Sequence, residues 1–276
     1  DLHLSIRRQR QMCIRDRLKN HASIVRKYPG VKIKSRSPEV AVKEFINHGV
    51  NNLLWLHDLV PEGTRNRSAK WYDGANSKAR EMGKKYGTEV QGNAGALAAL
   101  SPQKDWFMNV SLGERVVDIS TNQRGTKFGK DLESWLLEWG GGDPKIQALA
   151  KSLKGKSFDQ LNDYGKAAFI RAFDEVNNSK SYDIVSPEGK VVGIATTKKG
   201  EPAKVAWGSM SEINKALRIT LDPSSENISK LLGNAHKVRN FYNNILLPNA
   251  DGSSVTIDTH AVAAALLRPL AGNDLE

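Results

Sequence analysis

Three adjacent polar residues, Asp258, Thr259 and His260, separate a short apolar run from an alanine-rich segment. The run at 255–257 contains the β-branched residues typical of an extended segment, and 261–267 consists almost entirely of helix formers. A carboxylate at a helix start caps the first turn by accepting a hydrogen bond from a backbone N–H. The same position also fixes a carboxylate at the rim of a site, where it can stabilise a developing positive charge. Both interpretations of Asp258 are open from these residues alone.

A second candidate group, Lys237, lies 21 residues before Asp258 at the start of an apolar-periodic helix. A tight glycine-containing turn joins this helix to a short helix that precedes it. Two short helices joined in this way form a helix-hairpin-helix, whose turn amides can bind phosphate oxygens without reading the base sequence. The residues that would contact DNA here are Gly233, Asn234, Ala235, His236 and Arg239. An ordinary packing corner between two helices is the alternative interpretation.

The composition favours a nucleic-acid partner. The 276 residues carry a formal net charge of +11 and an isoelectric point near 9.6, which favours a polyanion, nucleic acid first and an anionic membrane second. The sequence has no apolar run of the roughly 18 residues that a membrane-spanning helix needs, and no segment typical of a signal peptide. The single cysteine, Cys13, excludes an internal disulfide framework and an all-cysteine zinc or iron–sulfur site. We therefore expect a cytoplasmic protein without membrane contact or an iron–sulfur cluster.

Both ends of the sequence look unlike natural protein termini. Residues 5–17, SIRRQRQMCIRDR, resemble translated sequencing-adapter read-through, so residues 1–17 are expected to lack packed structure. The last ten residues, LRPLAGNDLE, contain no closing helix, which leads us to expect a domain truncated at its C-terminus. The expected organisation is a tail at 1–17, an N-terminal helical segment at 18–90 and a second domain at 91–276.

Hydrophobic periodicity predicts a mainly α-helical fold. We expect helices at 38–48, 50–60, 66–86, 93–100, 105–120, 131–139, 145–153, 164–177, 210–219, 226–232 and 237–245. Residues 180–207 are different, because their β-branched runs are interrupted by Pro-Glu-Gly and Lys-Gly-Glu-Pro. This pattern indicates a small β-hairpin insertion between helices.

Two further patterns concern helix ends and charge. Ser209 and Glu212 have the spacing of a capping box, and Ser224 or Ser225 can cap the following helix. Residues 65–85 contain seven basic and two acidic side chains. They predict a basic helix face that is either solvated or in contact with phosphates.

Three segments resemble motifs of the helix-hairpin-helix DNA glycosylase superfamily, to which endonuclease III and adenine glycosylase belong. LSPQKDWFMNV at 100–110, LLGNAHK at 231–237 and VTIDTH at 255–260 are similar to its patterns L-S-x-Q-x-x-D-x-x-x-N, L-P-G-V-G-x-K and V-D-T-H. Asp105 falls one place early, and Ala235 replaces the second hairpin glycine. The superfamily's iron–sulfur cysteines are absent, and its ordinary repair enzymes have no insertion like 180–207 at that place. The arrangement looks more like an uncharacterised phage or metagenomic branch.

The resemblance implies a glycosylase-like helical domain that acts on a nucleotide extruded from double-stranded DNA, without a cofactor or metal and as a monomer. Asp258 would stabilise positive charge on the sugar as the N-glycosidic bond breaks, or activate an attacking amine or water. Lys237, at the positive end of a helix dipole, would be the nucleophile of a lyase step or contact a phosphate. Gln103 would fill the gap left by the extruded base. Ser101 and His260 are further possible site residues.

Two other functions are compatible with these residues. Relatives of the phage type have been assigned to thymine hypermodification, which implies a transferase or pyrophosphorylase that acts on a modified thymine in the same pocket. A chain that keeps the hairpin and has lost the chemistry is a non-catalytic DNA-binding module. The presence of both Lys237 and Asp258 favours an enzyme over such a module.

Overall fold

A computed structural model describes residues 16–186, 190–250 and 254–270 of the chain. The fold is mainly α-helical with one small antiparallel sheet, which confirms the predicted fold class. The described residues form two compact units, one from those up to residue 66 together with those from 257 onwards, and one from those between 67 and 256. The motifs suggest a division at residue 90, whereas the units divide at 66 because residues 67–90 pack with the helices that follow them.

The predicted helices are present, with two changes in how the segments are divided and with shifts of up to three residues at the ends of the others. In chain order the elements are a helix whose described part covers 16–26 (α1), α2 (Pro38–Leu59), α3 (Glu62–Ala69), α4 (Trp71–Tyr86), α5 (Val90–Leu100), α6 (Trp106–Asn122), α7 (Lys130–Trp139), α8 (Pro144–Leu153), a 3-10 turn (Phe158–Gln160), α9 (Asp163–Asn177), β1 (Asp183–Val185), β2 (Val191–Ile194), α10 (Met210–Leu221), α11 (Ser225–Leu232), α12 (His236–Leu246) and α13 (Thr259–Leu266). The two helices expected at 38–48 and 50–60 are one, α2, because a single interior glycine costs a helix only about 1 kcal/mol. The helix expected at 66–86 is divided at Lys70, whose φ of −93° and ψ of 7° interrupt it. Among the described residues, every helix is too short or too polar to cross a lipid bilayer.

The unit formed by the chain ends is built around α2. The ring of Tyr28, which follows α1, packs edge-on against Phe45 of α2 with 5.3 Å between centroids. Helix α13 lies against α2, where the amide of Asn52 donates to the carbonyl oxygen of Ala265 at 2.8 Å. Because α13 begins next to Asp258, its packing on α2 positions that carboxylate. Residues 16 and 17 are helical and exposed, and the rest of the expected tail, 1–15, lies outside the described residues.

Helix α5 forms the centre of the larger unit. Its sequence VQGNAGALAAL is rich in small residues, and every residue from Gly92 to Leu100 is buried. Helices α4, α6, α10 and α12 pack around it. Small side chains let neighbouring helix backbones approach closely, as at Gly95, which faces Ile219 of α10. This central helix therefore fixes α12, which carries Lys237.

We expect Gly95→Ala to lower the free energy of unfolding by about 1 kcal/mol or more, measured by urea unfolding. A Cβ at this position would lie 2.6 Å from Cγ2 of Ile219. That methyl group belongs to a β-branched side chain with few rotamers, so it cannot move aside freely. Gly125→Ala is the matched control, because a Cβ there meets no atom within 4 Å. Equal losses in both variants would show that the close helix approach is not the cause.

The predicted hairpin insertion is present. Strands β1 and β2 pair antiparallel, with an irregularity between Ile184 and Val185, and further bridges join Ser181 to Lys204 and Thr196 to Pro202. The start of the insertion is held by a buried ion pair between Arg115 of α6 and Asp174 of α9. Arg115 also donates to the carbonyl oxygens of Ser179 and Ser181, and Asp174 accepts the indole N–H of Trp207 at 2.9 Å.

The predicted helix caps are also present. Ser209 and Glu212 form a reciprocal capping box at the start of α10. Ser224 caps α11 by accepting the N–H of Asn227 at 3.3 Å, whereas Ser225 is the first residue of that helix. These local bonds satisfy N–H groups that a helix start otherwise leaves without a partner.

Candidate nucleic-acid interface

The two helices predicted around Gly233 are present and joined by a tight turn. Helix α11 ends at Leu232, and Gly233 follows with φ 59° and ψ −146°, a conformation that essentially only glycine adopts. Helix α12 begins at His236 with Ala235 as its N-cap residue at φ −65°. Ala235, which replaces a glycine of the superfamily pattern, is therefore unstrained. Because alanine has no side-chain acceptor, the N–H groups of the first turn of α12 lack a side-chain cap.

A polar cleft of about 390 Å³ lies on this hairpin. It is lined by Ser229, Gly233, Asn234, His236, Arg239 and Asn240. The guanidinium of Arg239 donates to the hydroxyl oxygen of Ser229 at 3.0 Å, and the amide nitrogen of Asn240 lies 3.2 Å from Nδ1 of His236. The fold thus brings four of the five predicted hairpin residues into one cleft. N–H donors and positive charge at a helix start are suited to binding a phosphate oxygen.

The opposite face of the hairpin is anchored in the core. The buried residues there are Ile228, Leu232, Phe241, Tyr242 and Ile245. The ring centroid of Phe241 lies 6.0 Å from that of Trp71 in α4 and 6.5 Å from that of Trp106 in α6. Burial raises the pKa of Tyr242, although the positive charge of Arg239 opposes this rise. One side of the hairpin is therefore packed on the core, and the half-buried Lys237 lies in its second helix.

Asp258 is the N-cap residue of α13. Its Oδ1 accepts the backbone N–H of Ala261 at 2.9 Å, which confirms the capping interpretation. His260 is an exposed residue in the first turn of the same helix. Asp258 belongs to the unit of the chain ends and Lys237 to the larger unit. A shared catalytic role of these two residues stays a prediction.

A family model described as Family of unknown function (DUF7178) matches residues 42–135 and 193–274, which together make up more than half of the chain. The chain belongs to this family. No curated protein and no solved structure matches the chain.

The DUF7178 match includes the hairpin, Asp258 and the segment 100–110, so all three glycosylase-like segments lie within the family pattern. Residues 136–192 lie outside it. They include the end of α7, α8, the 3-10 turn, α9, strand β1 and the start of β2, which means that the first half of the β insertion is not part of the matched pattern.

The segment 100–110 of this DUF7178 member forms the end of α5, a loop and the start of α6. Gln103 is exposed in that loop, with φ 56°. Ser101 is buried, and its hydroxyl donates to the carbonyl oxygen of Ala98 at 2.9 Å. Asp105 caps α6 by accepting the N–H of Met108 at 2.9 Å. The role of Gln103 in filling a gap in DNA stays a prediction.

The seven basic residues of 65–85 do not form one exposed face, contrary to the expectation from sequence. Lys78 is buried and ion-paired with Glu81 and Glu114. The burial of Lys78 could not be predicted from its own segment, because its partner Glu114 belongs to a different helix, α6. Within the described residues, no group of three or more His, Cys, Asp or Glu side chains is placed to hold a metal ion.

Sequence reasoning missed two residues of the hairpin cleft. Asn240 follows His236 by four positions, so helical spacing could have placed both side chains on one face. Ser229 lies on the other helix and reaches Arg239 only because of the turn geometry. Only the first of these contacts has a local signal in the sequence.

Proposed function

We propose that the chain binds duplex DNA through the α11–α12 hairpin and acts on a base extruded from the duplex, as an enzyme of the base-excision glycosylase type. The observation that carries the proposal is the polar cleft, where Arg239 and His236 lie beside a helix start without a side-chain cap. Both features favour an anion, and neither depends on the identity of a base. The net charge of +11 supports a polyanionic partner.

The proposed reaction is cleavage of an N-glycosidic bond. Positive charge develops on the sugar as this bond breaks, and the fixed carboxylate of Asp258 is proposed to stabilise that charge. The cap hydrogen bond engages Oδ1 and fixes the orientation of the carboxylate, so Oδ2 is the oxygen proposed to face the sugar. Lys237 is proposed to bind the DNA backbone or, as an unprotonated amine, to form a Schiff base with the sugar. The enzyme would act as a monomer in the cytoplasm of a bacterial or phage-infected cell.

A non-catalytic DNA-binding module is the second candidate function. The observation that favours it is the N-cap hydrogen bond of Asp258, which gives this residue a structural role without any reaction. Both candidates use the hairpin in the same way. They differ only in whether a base is released.

The hairpin is tested by Arg239→Gln, which we expect to weaken duplex binding about three- to tenfold at low salt and to reduce the salt slope of log K by about 0.9. The physical reason is the loss of one charged phosphate contact. Fluorescence anisotropy with a labelled duplex over a range of salt concentrations measures both quantities.

Arg124→Gln is the matched control for this experiment. Arg124 is an exposed arginine beside Asp159, outside the hairpin, and its loss should leave both quantities close to the parent values. If Arg239→Gln binds DNA with the affinity and salt dependence of the parent, the hairpin is not the DNA-binding element.

A further inference from the structure

Two adjoining clefts lie between α4, α6 and the β insertion of the larger unit. The first has a volume of about 260 Å³ and is lined mostly by apolar side chains, with Trp71, Trp106 and Phe107 among them. The second has a volume of about 590 Å³ and is lined mainly by polar and charged side chains. Four residues line both clefts, namely Lys78, Phe107, Val110 and Val185. The aromatic and polar spaces therefore meet at Lys78.

Two indole rings form a corner of the first cleft. The centroids of Trp71 and Trp106 are 4.9 Å apart and their planes meet at 62°. Phe241 of α12 packs against both rings, while Trp71 remains 37% exposed. A fixed aromatic face beside an open space is suited to stacking a flat ring, which is how proteins bind unpaired bases.

Lys78 supplies a hydrogen-bond donor at the junction of the clefts. Lys78 is only 8% exposed, and its Nζ lies 3.3 Å from Oε1 of Glu81 and 3.2 Å from Oε1 of Glu114. An ammonium group has three N–H donors, and within the described residues these two carboxylates account for two of them. A carbonyl oxygen of a bound ring can accept the third N–H. The neighbouring carboxylates can accept an N–H from the same ring edge.

The charges of the second cleft disfavour a phosphate. Its carboxylates are Glu81, Glu114, Asp118 and Asp183, and its cations are Lys78, Lys85 and Arg115. Arg115 is already paired with the buried Asp174, so the lining is acidic in a protein whose net charge is +11. A phosphate would be repelled from this lining, whereas a neutral base would not.

We propose that the Trp71–Trp106 cleft binds a neutral nucleobase that carries adjacent C=O and N–H groups, as thymine, uracil and guanine do. The ring stacks on the indoles, its carbonyl oxygen accepts from Lys78, and its N–H faces the carboxylates of Glu81 and Glu114. The inference rests on the proposed function, because it names the class of base that such an enzyme would take. The sugar and phosphates stay outside the acidic lining.

The test uses thymidine as the probe and the indole N–H signals of the ¹⁵N-labelled full chain as the readout. The signals of Trp71 and Trp106, assigned with Trp71→Phe and Trp106→Phe, should shift and saturate, while that of Trp139 in α7 should not move. N3-methylthymidine lacks the ring N–H and should bind at least about fivefold more weakly. Shifts that are equal for Trp139, or equal affinities for the two nucleosides, would overturn the proposal.

A matched pair of valine substitutions in the hairpin insertion tests the location. Val185 lines both clefts, so Val185→Trp should fill the space and weaken thymidine binding at least about tenfold. Val192 lies in β2, is 65% exposed and lines neither cleft, so Val192→Trp should bind like the parent. Unchanged binding in Val185→Trp, with a folded circular dichroism spectrum, would overturn the proposal.

Duplex binding measured on the same samples separates this inference from the proposed function. A parent protein that binds duplex DNA through the hairpin but does not bind thymidine overturns the cleft proposal alone. A protein that binds thymidine in the cleft but shows no duplex binding supports the cleft and overturns the proposed function.

Discussion

Asp258→Asn is expected to lower the rate of base release by about a thousandfold or more while duplex affinity stays within about twofold of the parent. Asparagine has the size of aspartate and keeps a carbonyl oxygen that can accept the N–H of Ala261. It lacks the negative charge that would stabilise the positive charge developing on the sugar. The measurement is single-turnover release of a base from a panel of modified duplexes, followed by mass spectrometry.

The control for this prediction is a second aspartate cap in the same chain. Asp143 caps α8 by accepting the N–H of Lys145 at 2.8 Å. Asp143→Asn makes the same chemical change at a helix start outside the proposed site, and it should leave base release unchanged. Full activity in Asp258→Asn, combined with a stability loss of about 1 kcal/mol in Asp258→Ala, would assign Asp258 to capping alone. Binding of the duplexes without base release from any of them by the parent protein would instead leave a DNA-binding module.

Local features of the fold could be predicted from the sequence because their causes lie within a few residues. The cap at Asp258 and the capping box at Ser209 each depend on a side chain and an N–H three positions later. The turn at Gly233 depends on one residue that can adopt a positive φ. The helices depend on apolar spacing along a single segment. Each of these signals lies within one short segment, so it can be recognised without knowing which segments pack together in the fold.

The aromatic cleft could not be predicted, because its walls come from segments far apart in the chain. The ring centroids of Trp71 and Trp106 are 4.9 Å apart although the two residues belong to different helices. Val185, which lines the same cleft, belongs to the β insertion. In the sequence, Lys78 is one of seven basic residues that predict a basic helix face. Its burial is explained by the ion pair with Glu114, which belongs to α6. Contacts of this kind follow from tertiary packing, which outweighs the local pattern.

Asp174→Ala is expected to lower the free energy of unfolding by about 3 kcal/mol or more. Asp174 is 2% exposed and accepts from the guanidinium of Arg115, the indole N–H of Trp207 and the amide of Asn178. Its removal leaves the charge of Arg115 without its partner in a largely buried position and leaves the indole N–H without its acceptor. The loss of these partners, more than the loss of packing volume, sets the size of the effect.

A comparison of the urea unfolding of Asp174→Ala and Asp159→Ala distinguishes the loss of a buried ion pair from the loss of an exposed one. Asp159 pairs with Arg124, and both side chains are about half or more exposed, so its loss should change stability by about 1 kcal/mol or less. Hydrogen exchange adds a local readout, because Arg115 also donates to the carbonyl oxygens of Ser179 and Ser181 at the start of the insertion. Protection should fall first at residues 181–186 and 190–205. If both aspartate variants lose the same small amount of stability and the insertion stays protected, the Arg115–Asp174 pair does not hold the insertion on α6 and α9.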